Sequence, residues 1–234
     1  MKLIFKLPIF SLLPRRCAFC GKVIEADCLI CKSCEKSVSR IKDEICKNCG
    51  REKKLCSCKK SAKYYNGIAA PFYFEGVVRT GMHRFKFRKC PRNSETYSVE
   101  MAKTVKQRFA GIDFDFIVEI PMTKKSLKKR GYNQVALLAK GVSEILGIEH
   151  KENFFVKLYE TEKQHGLSYS LRKGNLVGAY DVVSPAEVEG KTILLCDDVS
   201  TTGETLNEAA KMLWLYGAKE IYCIAVALTK QKKK

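Results

Sequence analysis

The chain has 234 residues, of which 46% are hydrophobic and 29% are charged. This length and composition are ordinary for a soluble globular protein that buries one sizeable core and carries a small satellite. No stretch is long and apolar enough for a credible membrane span, which argues against an integral membrane protein. The formal net charge of +18 is unusual and indicates a polyanionic partner, with nucleic acid as the first candidate.

The N-terminal segment 1–14 is apolar but short. It is broken by Lys6, Pro8 and Pro14, and no small-residue cleavage site follows it. We therefore expect an amphipathic helix that packs on the body of the protein rather than a signal peptide. On this basis we expect the protein to be cytoplasmic.

Nine of the twelve cysteines lie between Cys17 and Cys58, where they form close pairs and leave Cys28 over. A Cys-x2-Cys turn places two thiolates at the bite distance of a tetrahedral metal ion, and two such turns close a zinc site. A segment with so few large apolar residues needs such a site in order to fold. Disulfides are the alternative, but they belong with export, which nothing in the sequence supports. We therefore predict structural zinc in a Cys-rich module over residues 1–62.

The pairing of these cysteines stays open at the level of sequence. Sequential use of the pairs gives two sites of four thiolates, formed by Cys17, Cys20, Cys31 and Cys34 and by Cys46, Cys49, Cys56 and Cys58. The spacing also allows interleaved pairing, and Cys28 could replace a neighbour.

The Cys-rich module is strongly basic. Residues 1–62 hold 15 Lys and Arg residues against 6 Asp and Glu residues, which is half of the excess positive charge in about a quarter of the chain. Bound zinc would temper this charge, since a four-thiolate site carries a net charge of about −2. A basic zinc ribbon is common in nucleic-acid or protein docking, but the charge could equally serve to keep a small module in solution.

Beyond residue 63 the cysteines become rare and strands alternate with helices, so we expect a second domain over residues 63–234. An aromatic run predicts one or two strands over 64–74, broken at Pro71, and apolar runs predict strands at 114–120, 153–159, 180–183, 193–196 and 220–228. Helical spacing of apolar residues predicts helices at 75–87, 94–109, 134–146 and 206–216. The alternation predicts an α/β fold, with helices flanking a doubly wound parallel sheet.

The predicted helix at 75–87 combines aromatic residues with a basic run that includes Lys86. Such a helix can grip a phosphate backbone and stack bases. A core-packed helix with a solvated face is the more ordinary interpretation, and it is the one we favour.

Five cations lie within the seven residues from Lys124 to Arg130, in a predicted loop after the strand that closes at Pro121. Ligands of open α/β sheets bind at the carboxyl ends of strands, so these cations could neutralise a pyrophosphate or a nucleic-acid backbone. The segment 131–134 that follows has the sequence Gly-Tyr-Asn-Gln, which is too specific for a loop that only contacts solvent. The candidate contacts to pyrophosphate or nucleic acid are Lys86, Lys125, Arg130, Asn133, Gln134, Gln164 and Arg172.

The stretch from Thr192 to Leu206 carries the clearest chemistry. Its apolar run predicts a buried strand that ends in two adjacent carboxylates, Asp197 and Asp198, before a hydroxyl-rich turn and a helix. The first N–H groups of a helix have no intrahelical partner and form an anion site with the helix macrodipole. Gly203 lets the backbone wrap closely around a phosphate. Hydroxyl donors come from Thr201, Thr202 and Thr205.

The two carboxylates would repel a phosphate if they pointed at it, so they must serve another group. Vicinal ribose hydroxyls, or a magnesium ion that holds them, fit that need. A sugar phosphate with its phosphate in the turn and its diol on Asp197 and Asp198 satisfies both halves of the motif. An ordinary βα turn with capping hydroxyls and a solvated Asp pair is the blander alternative.

The stretch 192–206 resembles the phosphoribosyl pyrophosphate (PRPP) loop of type I phosphoribosyltransferases. In that family the acidic pair holds the ribose 2′- and 3′-hydroxyls, and the Thr-Thr-Gly-x-Thr turn holds the 5′-phosphate. The resemblance implies these roles for Asp197, Asp198, Thr201, Thr202, Gly203 and Thr205. Glu204 departs from the pattern, since a small residue is more usual there, so its carboxylate must face away from the phosphate or weaken its binding.

The whole chain resembles the ComF-type competence proteins, which are phosphoribosyltransferase-like partners in bacterial DNA uptake. The shared pattern includes the cysteine pairs, the segment 130–134, Gln164-x2-Leu167-x4-Arg172 and the PRPP loop. The resemblance implies a PRPP-binding fold, a zinc finger, affinity for DNA and association with a competence helicase during natural transformation. Glu119 departs from the pattern, because members often carry a proline there. An acidic residue at that strand end is expected to weaken contact to pyrophosphate, and hence turnover.

Three functions fit these residues. We favour a binding protein that holds PRPP or a related phosphosugar in the loop and single-stranded DNA on its basic surfaces. The second is a magnesium-dependent phosphoribosyltransferase that transfers ribose 5-phosphate to an unidentified acceptor, mainly through placement and charge stabilisation. No base-recognition segment is visible, which counts against a salvage enzyme. The third is a docking scaffold whose zinc module binds another protein.

Overall fold

The structure, a computed structural model, describes residues 14–56, 58, 62–157 and 180–230. The helices are α1 (Lys32–Ser37), α2 (Gly76–Phe87), α3 (Asn93–Arg108), α4 (Lys124–Arg130), α5 (Gln134–Leu146) and α6 (Glu204–Leu215). The strands are β1 (Gly67–Ala69), β2 (Phe72–Tyr73), β3 (Phe116–Glu119), β4 (Glu149–His150), β5 (Phe155–Lys157), β6 (Tyr180–Val182), β7 (Thr192–Ser200) and β8 (Glu220–Leu228). Within the described part of the chain, none of the helices has the length and apolar character that a bilayer crossing requires.

A parallel sheet in the order β1-β8-β7-β3-β4 forms the centre of the fold, and β2 also pairs with β8. The central strands β7 and β8 pair from Thr192 opposite Glu220 to Ser200 opposite Leu228. The run from Ile193 to Cys196 is fully buried, as expected for a parallel strand that is covered on both faces. The α/β fold class predicted from the sequence is confirmed.

The two faces of the sheet pack against different elements. Leu194 belongs to an apolar cluster that contains side chains of α2, α3 and α5. Its neighbour Leu195 belongs to a second cluster, which contains side chains of α6 and of the antiparallel pair β5–β6. Each fully buried side chain of this size stabilises the fold by about 1.5–3 kcal/mol. The sheet is therefore fixed from both sides, and the carboxyl end of β7 is a rigid platform.

Two small Cys-rich ribbons precede the sheet. Ribbon 1 comprises residues 14–37 and ends in α1, and ribbon 2 comprises residues 41–56 with Cys58. An isolated antiparallel bridge closes each of them, Arg16 to Val23 in ribbon 1 and Ile45 to Glu52 in ribbon 2. Both ribbons pack directly on the sheet domain, through contacts described below.

Several elements differ from the sequence-based expectations. The basic segment 124–130, expected as a loop, is the helix α4: the Thr123 side chain accepts a hydrogen bond from the Ser126 N–H at its start, and Gly131, at φ +81°, ends it. Strand β7 continues through both aspartates, because β8 pairs with it as far as Ser200. The short strand β4 was not expected. The predicted helix within 1–14 lies outside the described residues except for its last residue, and so do the end of the predicted strand at 153–159 and the candidates Gln164 and Arg172.

Candidate phosphosugar site and metal clusters

The cysteines of each ribbon form a compact cluster of four thiols. Within each cluster, all Sγ atoms lie within 4.8 Å of one another. The members are Cys17, Cys20, Cys31 and Cys34 in ribbon 1 and Cys46, Cys49, Cys56 and Cys58 in ribbon 2. This is the sequential grouping of the pairs. Cys28 lies in neither cluster and is close to Glu25 and Asp27.

The sulfur geometry of both clusters suits a tetrahedral metal ion. Cys20 and Cys31 are 3.7 Å apart at Sγ, and so are Cys46 and Cys58. A tetrahedral zinc ion with Zn–S bonds of about 2.3 Å requires sulfur separations of about 3.8 Å. Every cysteine of the chain is free of disulfides. These clusters support structural zinc.

The carboxylate pair lies at the end of β7, within the strand. The Asp198 N–H donates to Asp197 Oδ1 at 2.7 Å, and Lys86 Nζ on α2 lies 2.8 Å from Asp198 Oδ1. Burial, together with the charge of Asp198, raises the pKa of Asp197 to about 7. Asp197 therefore holds its proton close to neutral pH and gives it up more readily when a cation approaches.

The turn after β7 leads directly into α6. Gly203 adopts φ +81°, a left-handed conformation that favours glycine, and it occupies the N-cap position without a side chain to cap the helix. The side chains of Thr201, Thr202 and Thr205 are exposed. The Glu204 N–H donates to the Thr202 hydroxyl at 3.4 Å. The start of a twelve-residue helix thus meets accessible hydroxyls, which is the arrangement expected of a phosphate site. Glu204 is also exposed.

Ribbon 2 supports this turn from behind. The Arg51 guanidinium, only 2% exposed as a residue, donates from Nη2 to the Thr201 carbonyl at 2.6 Å and from Nε to the Thr229 carbonyl at 2.7 Å. Burial raises the pKa of the Cys49 thiol, and hydrogen bonding from Arg51 opposes that rise. Sequence reasoning missed this contact, because Arg51 looked like one more surface cation of a basic module.

A basic surface with an exposed aromatic ring lies next to the carboxylate pair. The Phe87 ring is half exposed and makes a tilted contact with the His83 ring, with 4.9 Å between centroids. It lies 5.5 Å from the Arg130 guanidinium and 5.9 Å from Lys129 Nζ. A neighbouring cavity of about 580 Å³ is lined largely by α2. Its cations are Arg79, Arg84, Lys86 and Arg88. The structure thus brings Lys86 and Arg130, 44 positions apart in the sequence, into one surface, which we call the α2–α4 surface.

The remaining candidates of the segment 124–134 have mixed environments. Lys125 is exposed on α4. The Asn133 side chain accepts hydrogen bonds from the N–H groups of Val135 and Ala136 and so caps α5. Gln134 is fully buried, and its Oε1 accepts from Arg130 Nη1 at 2.8 Å. In this structure Asn133 and Gln134 hold the junction between α4 and α5 in place.

Glu119, the departure at the end of β3, does not face solvent. Its residue is 2% exposed, Oε2 lies 2.8 Å from His150 Nε2, and Oε1 accepts the Asn153 N–H at 2.9 Å. Asn153 has a positive φ of 57°, so the carboxylate fixes a tight turn before β5. The side chain is therefore committed to β4 and the turn that follows it.

Two family models match separate parts of the chain. A double zinc ribbon domain matches residues 9–65, and a phosphoribosyl transferase domain matches residues 128–234. Competence protein F of Haemophilus influenzae is 29% identical over 219 residues, which cover 88% of this chain and 93% of that protein. DNA utilization protein YhgH of Escherichia coli is 26% identical over 91% of this chain and 90% of its own length. Competence protein ComFC of Streptococcus pneumoniae is 25% identical over 88% of this chain and 96% of its own length.

Proposed function

We propose that this chain, a homologue of the ComF-type competence proteins with a double zinc ribbon and a phosphoribosyl transferase domain, binds PRPP and single-stranded DNA. Its relatives named competence protein F and ComFC support a role in competence. The observation that supports PRPP as the ligand is the carboxylate pair at the end of β7, directly before an open helix N-terminus. DNA uptake during natural transformation is the process in which such a protein would act.

In this proposal PRPP lies across the end of β7. Its 5′-phosphate accepts hydrogen bonds from the turn at Thr201, Thr202 and Gly203 and from the Thr205 hydroxyl. Its ribose diol is held by Asp197 and Asp198. A magnesium ion bound with PRPP would neutralise its pyrophosphate and interact with these carboxylates. Lys86, which pairs with Asp198, would contact the pyrophosphate in this arrangement.

Calorimetric titration with magnesium and PRPP tests the site. We expect binding by the zinc-loaded wild type and at least about 100-fold weaker binding by the double variant Asp197→Asn/Asp198→Asn, since each hydrogen bond to a charged group is worth about 1.5–3 kcal/mol. The double variant Glu25→Gln/Asp27→Asn, which removes two exposed carboxylates of ribbon 1, should bind like the wild type. Absent binding by the folded wild type, or unchanged binding by the Asp double variant, would refute this site.

For DNA we propose the α2–α4 surface. An aromatic ring flanked by cations is the arrangement that stacks bases and pairs with phosphates of a single strand. Phe87 supplies the ring, while Lys129 and Arg130 on α4 and the cations of α2 supply the charge. Lys128, which is exposed on the same helix, adds a further cation. The buried positions of α2, Val78, Met82 and Phe85, show that the ordinary interpretation of this helix holds for its apolar side chains. Its exposed side chains are free for a partner.

Fluorescence anisotropy with a labelled oligothymidine at several salt concentrations tests the surface. We expect Phe87→Ala to weaken binding at least about fivefold without changing the salt dependence, because stacking is worth about 1–3 kcal/mol per base. The double variant Lys128→Ala/Lys129→Ala should reduce the slope of log K against log salt by about 1.4, or about 0.7 for each phosphate contact. The matched control is Lys106→Ala/Lys140→Ala, which removes exposed cations of α3 and α5. Salt-insensitive binding, or an equal effect of the control, would refute the assignment.

An active phosphoribosyltransferase is the second candidate, and the position of Glu119 favours it. The sequence suggested that this carboxylate would oppose pyrophosphate, but it is buried against His150 and Asn153. The reaction would transfer ribose 5-phosphate from PRPP to an acceptor and release pyrophosphate. Pyrophosphate release should be measured with PRPP, magnesium and panels of nucleobases and amines. No release with any acceptor, in a protein that binds PRPP, would leave the binding function alone.

We also propose the finer assignments that follow from the homology. The eight clustered cysteines would hold two structural zinc ions, and metal analysis of the purified protein should find about two per chain. The domain division at residue 62, a cytoplasmic location and a competence helicase as partner belong to the same proposal. Co-purification of the chain with the helicase of its own genome tests the last of these.

A further inference from the structure

The turn that would hold the phosphate is tied to ribbon 2 by one buried cation. Arg51 follows Cys49 and Gly50 in the cysteine turn of the ribbon, and its backbone carbonyl accepts the Cys46 N–H at 2.8 Å. Its side chain reaches the sheet domain and bonds to the carbonyls of Thr201 and Thr229. A residue 150 positions away in the sequence thus sets the position of the first residue of the turn.

This contact determines which way the next N–H points. The C=O and N–H groups of a planar trans peptide point in opposite directions. Because Arg51 holds the Thr201 carbonyl towards ribbon 2, the Thr202 N–H points away from the ribbon, where the turn opens to solvent. The Thr229 hydroxyl donates to the same carbonyl at 3.2 Å and limits its rotation further. An amide donor fixed in this way does not have to be reoriented when an anion binds.

Ribbon 2 also packs against the turn and its strand through close contacts. The Tyr65 hydroxyl donates to the Asn48 carbonyl at 2.7 Å, and it would lie 3.2 Å from a Cβ placed on Gly203. Gly50, at φ +69°, is so close to β1 and β8 that a Cβ there would lie 2.7 Å from Leu228 Cδ1. The cysteine turn 46–51 therefore sits against the carboxyl end of β8 and the turn after β7. Any loosening of the cysteine turn would be transmitted to the turn 201–203, which we call the phosphate turn.

We infer that ribbon 2 is a positioning element of the phosphosugar site, with Arg51 as its positioning residue. The inference rests on the proposed PRPP site and adds a dependence that the site residues themselves do not reveal. A metal ion on Cys46, Cys49, Cys56 and Cys58 would hold the turn that carries Arg51. Phosphosugar affinity would then depend on the metal content of ribbon 2, although no ribbon 2 side chain contacts the ligand in this arrangement.

The experiment compares Arg51→Gln, Arg51→Lys and the control Arg40→Gln in the full-length, zinc-loaded protein. Arg40 pairs with Glu35 of α1 and with Glu100 of α3, so it also joins the Cys-rich module to the sheet domain. Its contact there is α3 and not the phosphate turn. The readouts are zinc content, PRPP affinity with magnesium and hydrogen exchange of the amides of Thr202 and Gly203. We expect Arg51→Gln to bind PRPP about tenfold more weakly, because binding would then carry the cost of ordering a turn that Arg51 no longer holds. Arg51→Lys should retain part of this affinity, and Arg40→Gln should bind like the wild type.

Hydrogen exchange separates this inference from the proposed function. If the wild type does not bind PRPP, but Arg51→Gln accelerates exchange of the turn amides and Arg40→Gln does not, the positioning role stands and the proposed ligand is wrong. If Arg51→Gln keeps its zinc and shows wild-type affinity and wild-type exchange, the positioning role is refuted. Equal acceleration by Arg40→Gln would also refute it, because the effect would then reflect general loss of stability.

Discussion

Ribbons 1 and 2 have the same four-cysteine framework but attach to the sheet domain by different forces. Ribbon 1 inserts Phe19, which is fully buried and contacts the rings of Phe72 at 5.5 Å and Tyr97 at 5.9 Å. The Ala18 carbonyl beside it accepts hydrogen bonds from Tyr97 and from Asn93. Ribbon 1 is therefore part of the apolar core on the α2 and α3 side of the sheet.

Ribbon 2 attaches mainly through polar contacts. Arg51 bonds to two carbonyls of the sheet domain, the Glu52 N–H donates to the Tyr73 hydroxyl, and the Asn48 carbonyl accepts from Tyr65. Its apolar share is small, with Ile41 and Cys49 as its buried hydrophobic residues. Apolar burial is strong and non-directional, whereas hydrogen bonds are weaker in net terms and fix orientation. From this difference we expect ribbon 1 to contribute mainly stability, and ribbon 2 to align the turn 201–203 that we propose holds the phosphate.

The largest expected effect comes from emptying the apolar anchor of ribbon 1. Phe19→Ala should lower the free energy of unfolding by about 3–5 kcal/mol, since it removes a buried ring and leaves a cavity. Urea denaturation measures this loss, and PRPP affinity of the folded protein should stay close to that of the wild type. The control is Val23→Ala in the same ribbon. Because Val23 is 58% exposed, this substitution should lower the free energy of unfolding by less than about 0.5 kcal/mol. A cost below 1 kcal/mol for Phe19→Ala would show that apolar burial does not hold ribbon 1.

A smaller effect should distinguish the two metal clusters by ligand affinity. Cys58→Ser should reduce the zinc content by about one ion per chain and weaken PRPP binding about tenfold, the same loss that we expect for Arg51→Gln. Cys20→Ser should lose the same amount of zinc and lower stability, while the folded fraction keeps its affinity. Cys28→Ser, outside both clusters, controls for loss of a thiol. If the two cluster variants weaken binding equally, the division of labour between the ribbons is wrong.

Sequence alone predicted the elements whose signals are local. The continuous apolar run before Asp197 predicts a buried strand, and the cysteine spacing predicts metal clusters, because each pattern lies within one short continuous segment of the chain. The run at 220–228 even gives the bounds of β8. The α4 helix was missed, although Thr123 and Gly131 are ordinary start and stop signals, because five cations in seven residues suggested a loop.

Contacts between distant segments could not be predicted in this way. The role of Arg51 depends on a carbonyl 150 positions later, and carbonyl groups carry no sequence signal. Glu119 looked like an obstacle to pyrophosphate because its partner His150 enters only through the pairing of β3 with β4. Both residues are charged and were expected at the surface or in the site. The fold instead buries each of them with a polar partner, as burial of a charge requires.

The smallest expected effect is a pH dependence of PRPP affinity, which should arise at the carboxylate end of the phosphosugar site and not at its phosphate end. Burial and the neighbouring Asp198 raise the pKa of Asp197 from 3.8 to about 7, so the folded protein holds a proton that the unfolded chain releases. Stability should therefore fall as pH rises from about 4 to 7. Magnesium and the ribose diol are best held by the ionised carboxylate, so affinity for PRPP with magnesium should rise about threefold from pH 6.5 to 7.5, as the ionised fraction does.

Calorimetry at these two pH values with Asp197→Asn and Arg51→Gln completes the test. Asp197→Asn should retain only the pH dependence that comes from the ligand itself. Arg51→Gln should bind more weakly at both pH values but keep the full rise, because ribbon 2 acts on the phosphate end of the site and Asp197 lies at the carboxylate end. A flat response in Arg51→Gln would mean that ribbon 2 also controls the carboxylates. We would then conclude that ribbon 2 is coupled to the whole phosphosugar site, and that the two ribbons do not have the separate roles described above.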